Sequence, residues 1–102
     1  MSVVTTQEQA KTARDRQRAE RLRELRDLRD VMSTEEGRRV MWRLLSECRV
    51  FLSTYSPKEL ESYYRQGRRA VGLIFFNDMM EGCRELFWKA QDENLPKERN
   101  HG

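Results

Sequence analysis

The fold of this chain is decided between residues 36 and 80, where the sequence reads EGRRVMWRLLSECRVFLSTYSPKELESYYRQGRRAVGLIFFNDMM. The stretch contains two segments with apolar residues at helical spacing, and Gly-Arg-Arg occurs in each, at residues 37–39 and 67–69. Most of the large apolar residues of the chain lie in these segments or beside them. Apolar residues that recur every three or four positions bury one face of a helix. We therefore predict two long antiparallel core helices that meet with similar chemistry at similar height.

The first core helix is expected to begin at the capping box Ser33-Thr34-Glu35-Glu36, with Ser33 as the N-cap. Trp42 lies off the centre of its apolar face, where an indole N–H can reach a polar partner. The other apolar positions form a single wide face and extend the predicted helix to residue 52: Val40, Met41, Leu44, Leu45, Cys48, Phe51 and Leu52.

The second core helix is expected to begin at another capping box, with Ser56 as the N-cap, Pro57 at the first helical position and Glu59 three beyond the cap. Gly67 and Gly72 lie inside this helix, where glycine is unfavourable, and this indicates close approach of another helix backbone at both. The residues expected to point inward are Leu60, Tyr63, Tyr64, Gly67, Val71, Ile74, Phe75 and Met79.

The remaining segments complete an all-α prediction. Gly82 is expected to end or kink the second core helix, and Cys83–Gln91 to form a short C-terminal helix with Leu86, Phe87 and Ala90 inward. Before the core, residues 7–30 lack Gly and Pro and are rich in helix formers. The predicted organisation is a charged N-terminal helical extension (1–32), a helical core domain (33–94) and a disordered tail (95–102).

The N-terminal helix carries only a thin apolar stripe, formed by Leu22, Leu25, Leu28 and Met32. Such a stripe is narrower than the face of a core helix, so we expect a solvated helix that docks only through its last two or three turns. Such a helix can equally dock on a partner or on a copy of itself. Its oppositely charged residues four apart predict ion pairs along the helix: Arg16/Glu20, Arg23/Asp27 and Arg26/Asp30.

Charge is distributed unevenly along these 102 residues. The net charge is +2 over residues 7–30, +3 over residues 35–74 and −3 over residues 78–98, and sixteen of the twenty basic residues are arginine. Arginine pairs with carboxylate or phosphate in a bidentate manner, which fits ion pairing between proteins and phosphate contact equally well. No charged-then-apolar leader and no apolar run of about 18 residues is present, so we expect a soluble protein without its own export signal and without membrane contact.

Residues for catalysis or metal binding are scarce. His101, the single histidine, lies next to the C-terminus, and Cys48 and Cys83 are far apart and are expected to be buried free thiols. The acidic pairs Glu35/Glu36 and Glu59/Glu61 lie at helix starts, where capping and the helix dipole explain them. Neither Gly-Arg-Arg triplet has the signature of a phosphate-binding loop. We therefore expect a protein that is not an enzyme and that needs no cofactor.

Six arginines remain as candidate contact residues: Arg38, Arg39, Arg43, Arg65, Arg68 and Arg69. They are expected to face outward. Three interpretations are open, namely a solvated face with internal acidic partners, a surface for the carboxylates of a protein partner, or a surface for nucleic-acid phosphates. Interspersed Glu and Asp weaken a stripe that would follow a phosphate backbone.

The two segments resemble a family of small proteins of tailed bacteriophages. The resemblance lies in Ser33-Thr34-x-Glu36-Gly37-Arg38-Arg39-Val40-x-Trp42-Arg43-Leu44-Leu45 with Cys48 and Phe51, and in Gly67-Arg68-Arg69-x-Val71-Gly72-Leu73 with Met80-Glu81. It covers roughly residues 31–90 and does not include the Arg-rich N-terminal helix. Members look like products of phage structural and packaging modules, encoded near portal and terminase genes.

The resemblance implies a non-enzymatic structural or assembly accessory protein, found in the virion and in the host cytoplasm during assembly. It would bind phage proteins of the portal, head or tail, with Arg38, Arg39, Arg68 and Arg69 as the matching contact positions and self-association through the N-terminal helix as a further option. The alternatives are a DNA-binding accessory of packaging or regulation, and a phage-encoded inhibitor of a host protein.

Overall fold

The structure, a computed structural model, describes residues 5–96. Within that range the chain forms four helices and no strand: α1 (Thr6–Met32), α2 (Glu35–Glu47), α3 (Glu59–Gly82) and α4 (Arg84–Asn94). Cys48, just after α2, lies beside Gly72, whereas Met41 near its start lines a groove with Ile74 and Phe75, so α2 and α3 run antiparallel. The predicted all-α bundle is confirmed. Residues 97–102 of the expected tail, with His101, lie outside the described residues.

The N-terminal helix docks by its last turns, as its thin apolar stripe predicted. α1 begins with a capping box absent from the sequence-based expectations: the Thr5 hydroxyl accepts from the Glu8 N–H at 3.1 Å, and the Glu8 carboxylate accepts from the Thr5 N–H at 3.1 Å. Residues 6–20 are all exposed, while Leu28 and Met32 are buried. Packing of the core therefore begins inside α1, at Leu28, and includes the last turn of the expected extension.

Arginines of α1 pair mainly with other helices, and the one ion pair along α1 in the described residues is Arg21–Glu24 at 3.2 Å, which was not predicted. None of the pairs Arg16/Glu20, Arg23/Asp27 and Arg26/Asp30 forms an ion pair in this structure. Arg21 instead reaches α3, where its Nη2 lies 2.7 Å from both Asp78 Oδ1 and Glu81 Oε2. Arg29 donates to the Gly82 carbonyl at 2.9 Å and pairs with Glu85. Through these contacts Arg21 and Arg29 hold α1 against α3 and α4.

The turn between α1 and α2 requires the first glycine of the repeated triplet. The N-cap is Thr34, whose hydroxyl accepts from the Gly37 N–H at 3.0 Å, so the predicted cap at Ser33 is wrong by one residue. A Cβ on Gly37 would lie 1.7 Å from the carbonyl oxygen of Val31. The end of α1 and the start of α2 therefore approach too closely for any side chain at this position.

α2 ends earlier than its apolar spacing predicted, at Glu47 and not at Leu52. The Arg49 N–H donates to the Ser46 carbonyl at 3.0 Å and the Val50 N–H to the Leu45 carbonyl at 3.2 Å, the two hydrogen bonds of a Schellman motif. Arg49 takes the left-handed position of that motif with φ of 56°, where glycine is usual. Without a glycine, the sequence contained no signal for this helix end.

The start of α3 was also misplaced. The Ser56 hydroxyl accepts from the Lys58 N–H at 3.2 Å, but it caps a turn, and α3 begins at Glu59 with Lys58 as an N-cap that makes no side-chain bond. At the other end the prediction is confirmed, since α3 stops at Gly82 and α4 follows after Cys83. Phe87 and Ala90 of α4 are buried, as expected, and Leu86 is partly buried against the core.

All four helices supply the core. Met32, Leu45, Met79 and Phe87 are buried, one from each helix. The Phe87 ring lies 5.2–6.1 Å from the rings of Trp42, Phe51 and Phe76. Cys48 and Cys83 are buried free thiols, as predicted, and burial raises the pKa of the Cys83 thiol.

Candidate protein-contact site

Arg38, the first candidate contact residue, points into the protein. Only 5% of it is exposed. Its Nε and Nη2 donate to the two carboxylate oxygens of Glu93, at 2.5 and 3.2 Å, and its Nη1 donates to the Met32 carbonyl at 3.0 Å. The hydrogen bond from Arg38 holds the pKa of Glu93 below its ordinary range. The expectation that Arg38 faces outward is wrong because the residue joins α1, α2 and α4.

Arg65, Arg68 and Arg69 are half-buried on α3 and contact the segment that follows α2. Their guanidinium groups donate to the carbonyl oxygens of Tyr55 at 3.0 Å, Glu47 at 2.7 Å and Val50 at 3.2 Å, respectively. Carbonyls at the C-terminal end of a helix have no intrahelical donor and carry partial negative charge, so a cation stabilises them. These three arginines fix the α2–α3 connection, and the fully outward orientation predicted for them is wrong.

Two further contacts hold the same arginines in place. Arg65 pairs with Glu61 one turn earlier on α3, as an internal acidic partner. The Arg68 guanidinium lies over the Tyr64 ring, 5.5 Å from its centroid. The glycines of the two Gly-Arg-Arg triplets therefore have different surroundings. Gly37 permits the tight α1–α2 turn, whereas a Cβ on Gly67 would meet no atom within 4 Å. The expected meeting of two similar surfaces is not observed.

Arg39 and Arg43 are the candidates that the structure leaves exposed. They lie four residues apart on α2, and the exposed side chain of Val40 lies next to Arg39. Neither forms an ion pair or a side-chain hydrogen bond within the described part of the chain. Their role in partner contact stays a prediction.

The predicted orientation of α3 is wrong. The side packed on the domain is formed by Gly72, Phe76 and Met79. A Cβ on Gly72 would lie 2.5 Å from Cys48 Cβ and Val50 Cγ2, so packing is close there, but side chains and not the predicted helix backbone approach it, and nothing lies within 4 Å of Gly67. Of the residues predicted to point inward, Met79 is buried, whereas the others are exposed: Leu60, Tyr63, Tyr64, Gly67, Val71, Ile74 and Phe75.

The outward face of α3 is the surface formed by eight of its exposed residues: Leu60, Tyr63, Tyr64, Gly67, Ala70, Val71, Ile74 and Phe75. The exposed fractions of its large side chains run from 36% at Phe75 to 84% at Leu60. Positions 60, 67 and 74 alternate with positions 64 and 71 in the heptad spacing with which one helix packs on another. Every charged residue between positions 60 and 75 is half-buried, and every exposed residue there is uncharged. The outward face is therefore a continuous uncharged surface.

A groove adjoins the outward face at its C-terminal end. It has a volume of about 490 Å³ and lies between α1, α2 and α3. Its apolar lining includes Leu28, Val31 and Met41 together with Ile74 and Phe75, and Glu24, Asp27 and Asp78 also line it. Ile74 and Phe75 thus belong to both surfaces, which extends the apolar area from α3 onto α1 and α2.

Metal-binding clusters and membrane-spanning helices are both absent from residues 5–96. No group of three or more His, Cys, Asp and Glu side chains is placed to hold a metal ion in that range. None of the four helices combines the length and the hydropathy needed to cross a bilayer.

Comparison with known proteins identifies a family. A family model described as Bbp19-like phage protein matches residues 28–92. The match begins at Leu28, the first buried residue of α1, and ends within α4, so it covers the packed core and omits the exposed part of α1. Comparisons with curated proteins and with solved structures give no significant match. Because the family model covers well over half of the chain, this protein belongs to the family of Bbp19-like phage proteins.

Proposed function

We propose that this chain is a non-enzymatic structural or assembly accessory protein of a bacteriophage, and that it acts by binding other proteins at the head or the portal vertex. The observation that carries the proposal is the outward face of α3. Its six large side chains expose on the order of 700 Å² of largely apolar surface, whereas monomers rarely expose more than a few hundred Å² in one patch. Covering such an apolar surface with another protein removes it from water, which is favourable.

Among the six candidate arginines, the arrangement supports protein as the ligand in preference to nucleic acid. Phosphate binding needs arginines that reach out from the surface. Arg38 is buried with Glu93, and three more of the six candidates donate to carbonyls of their own chain. Arg39 and Arg43 remain to pair with carboxylates of a phage protein at the edge of a contact.

The experiment is mass spectrometry of purified phage particles, with the copy number measured relative to the capsid protein. Particles from phage that encode Val71→Glu are compared with particles from phage that encode Gln66→Glu. Both positions are exposed on α3, but Val71 lies on the outward face and Gln66 does not. A charge is costly in an apolar contact and harmless in water.

We expect the wild-type protein and the Gln66→Glu variant at a fixed ratio to the capsid protein, and about a tenfold loss of the Val71→Glu variant. Absence of the wild-type protein from particles would overturn the structural role and favour a packaging factor or a host-directed inhibitor. Equal incorporation of the two variants would show that the outward face makes no contact in the particle.

A further inference from the structure

We propose that the outward face of α3 is a two-fold interface at which a second copy of this chain packs antiparallel, with the axis at Gly67. The inference rests on the proposed function in that it names which protein covers this surface: a second copy of the chain, so that the dimer, with Arg39 and Arg43 exposed, is the unit that binds the other phage proteins. In this dimer the two α3 helices cross at their glycines, and residues at equal distances on either side of position 67 face one another.

Gly67 is the first observation. Glycine is a poor helix former, and inside a helix it is expected where another backbone approaches. Other atoms of this chain occupy the Cβ positions of Gly37 and Gly72, a backbone carbonyl oxygen at 1.7 Å and side-chain atoms at 2.5 Å, while Gly67 has no neighbour within 4 Å. It lies in the middle of the outward face, so the backbone that it would admit comes from outside the chain.

The second observation is the order of side-chain sizes along the face. Before Gly67 the face carries large residues, Leu60, Tyr63 and Tyr64, and directly after it come the smaller Ala70 and Val71, with Ile74 and Phe75 beyond them. An antiparallel pair brings Tyr63 against Val71 and Tyr64 against Ala70 of the other copy, so each large ring meets a small side chain. A parallel pair would bring tyrosine against tyrosine next to the glycine and hold the helices apart. The face is complementary to itself only in the antiparallel arrangement, which a two-fold axis produces.

The third observation is area. The face offers on the order of 700 Å² per chain, comparable with the roughly 800 Å² per partner of a stable interface. Its charged neighbours Glu61, Arg65 and Arg69 are half-buried on the flank towards the domain. Arg68 lies over the Tyr64 ring, and Glu59 accepts a hydrogen bond from the Tyr63 hydroxyl, so these two charges lie at the margin of the face. The exposed area is therefore of the size that a stable dimer buries on each partner.

The test begins with the mass of the full-length chain in solution, measured by light scattering after size exclusion. We expect twice the chain mass of 12.3 kDa for the wild type and for Gln66→Glu. For Val71→Glu we expect a monomer, with dimer affinity reduced at least about a hundredfold because the charge enters the interface twice. Circular dichroism checks that Val71→Glu keeps its helix content.

Disulfide trapping then establishes the direction of the helices. A disulfide forms only where the Cα atoms of two cysteines lie within about 7 Å of one another. Leu60→Cys and Ile74→Cys should each fail to cross-link alone and should cross-link when mixed. The wild type is the control, since Cys48 and Cys83 are buried.

Each other outcome overturns the inference. A wild-type monomer at all concentrations excludes the dimer, self-linking of Leu60→Cys indicates a parallel pair, and a dimer that survives Val71→Glu uses another surface, such as α1. The proposed function can fail independently of the dimer. If the protein is a dimer but is absent from phage particles, the proposed function is wrong and the interface stands. If it is a monomer and is present in particles, the interface is wrong and the proposed function stands.

Discussion

Arg65, Arg68 and Arg69 each direct a guanidinium nitrogen to a backbone carbonyl between Glu47 and Tyr55. The sequence showed that these arginines cluster, and their chemistry fits an anionic ligand of any kind. Their partners could not be predicted, because a carbonyl is present at every residue and leaves no pattern in the sequence. A side-chain partner is easier to anticipate: Glu61, an expected internal partner of the arginines, does pair with Arg65 four residues on.

Arg49 provides a prediction at the residue scale. Its φ of 56° is unfavourable for any residue with a Cβ and is free of strain for glycine. We expect Arg49→Gly to be more stable than Arg49→Ala by about 1 kcal/mol in urea unfolding, since both lose the same side chain and only glycine relieves the backbone. Equal stability of the two variants would mean that residue 49 leaves the left-handed conformation at little cost.

At the scale of the helix, α3 has two apolar sides, and periodicity cannot say which one meets the domain. The heptad series through Leu60, Gly67 and Ile74 is as regular as that of any core helix, and it was predicted to be buried. The packed side is instead marked by Gly72 and Met79, together with arginines that an amphipathic pattern places in solvent. The side by which α1 docks was predicted correctly, because α1 has only one apolar stripe.

The two glycines of α3 test this orientation with the same methyl group on the same helix. Gly72→Ala should lower the free energy of unfolding by about 1–3 kcal/mol, because the new Cβ overlaps Cys48 and Val50. Gly67→Ala should raise it by about 0.5–1 kcal/mol in dilute monomer, where only helix propensity changes. Urea unfolding followed by circular dichroism measures both. If Gly67→Ala were destabilising and Gly72→Ala were not, Gly67 would lie on the packed side of α3.

The contact between α2 and α4 should make the fold sensitive to acid. The pKa of Glu93 is lowered mainly by its hydrogen bond from Arg38, so the folded state binds a proton less readily than the unfolded chain. The stabilisation is complete above the ordinary carboxyl pKa and is lost as pH falls through the lower folded-state value. We expect Glu93→Gln to be less stable than the wild type at pH 7, with the difference shrinking towards pH 2. A difference independent of pH would contradict the pairing.

At the scale of the whole molecule, the small thickness of the protein explains why the outward face of α3 is not covered by another part of the chain within residues 5–96. The protein measures 78 × 38 × 18 Å, and its radius of gyration of 19.4 Å exceeds the roughly 13 Å of a compact domain of this length. A thickness of 18 Å admits about two layers of helices, so α3 has the domain on one side and solvent on the other. The sequence predicted the helices and the family core, but not this flat arrangement, because it depends on how all four helices meet.

The measurement that tests the central claim most directly is hydroxyl-radical footprinting of the three tyrosines, with Tyr55 as the exposed internal reference. The claim is that the outward face of α3 is turned away from the domain and covered by protein. We predict that Tyr63 and Tyr64 react like Tyr55 in the Val71→Glu variant, and that they are protected in the wild type at high concentration while Tyr55 still reacts. Protection in both proteins would mean that this face is packed inside the domain. Full reactivity in the wild type at every concentration would mean that nothing covers it.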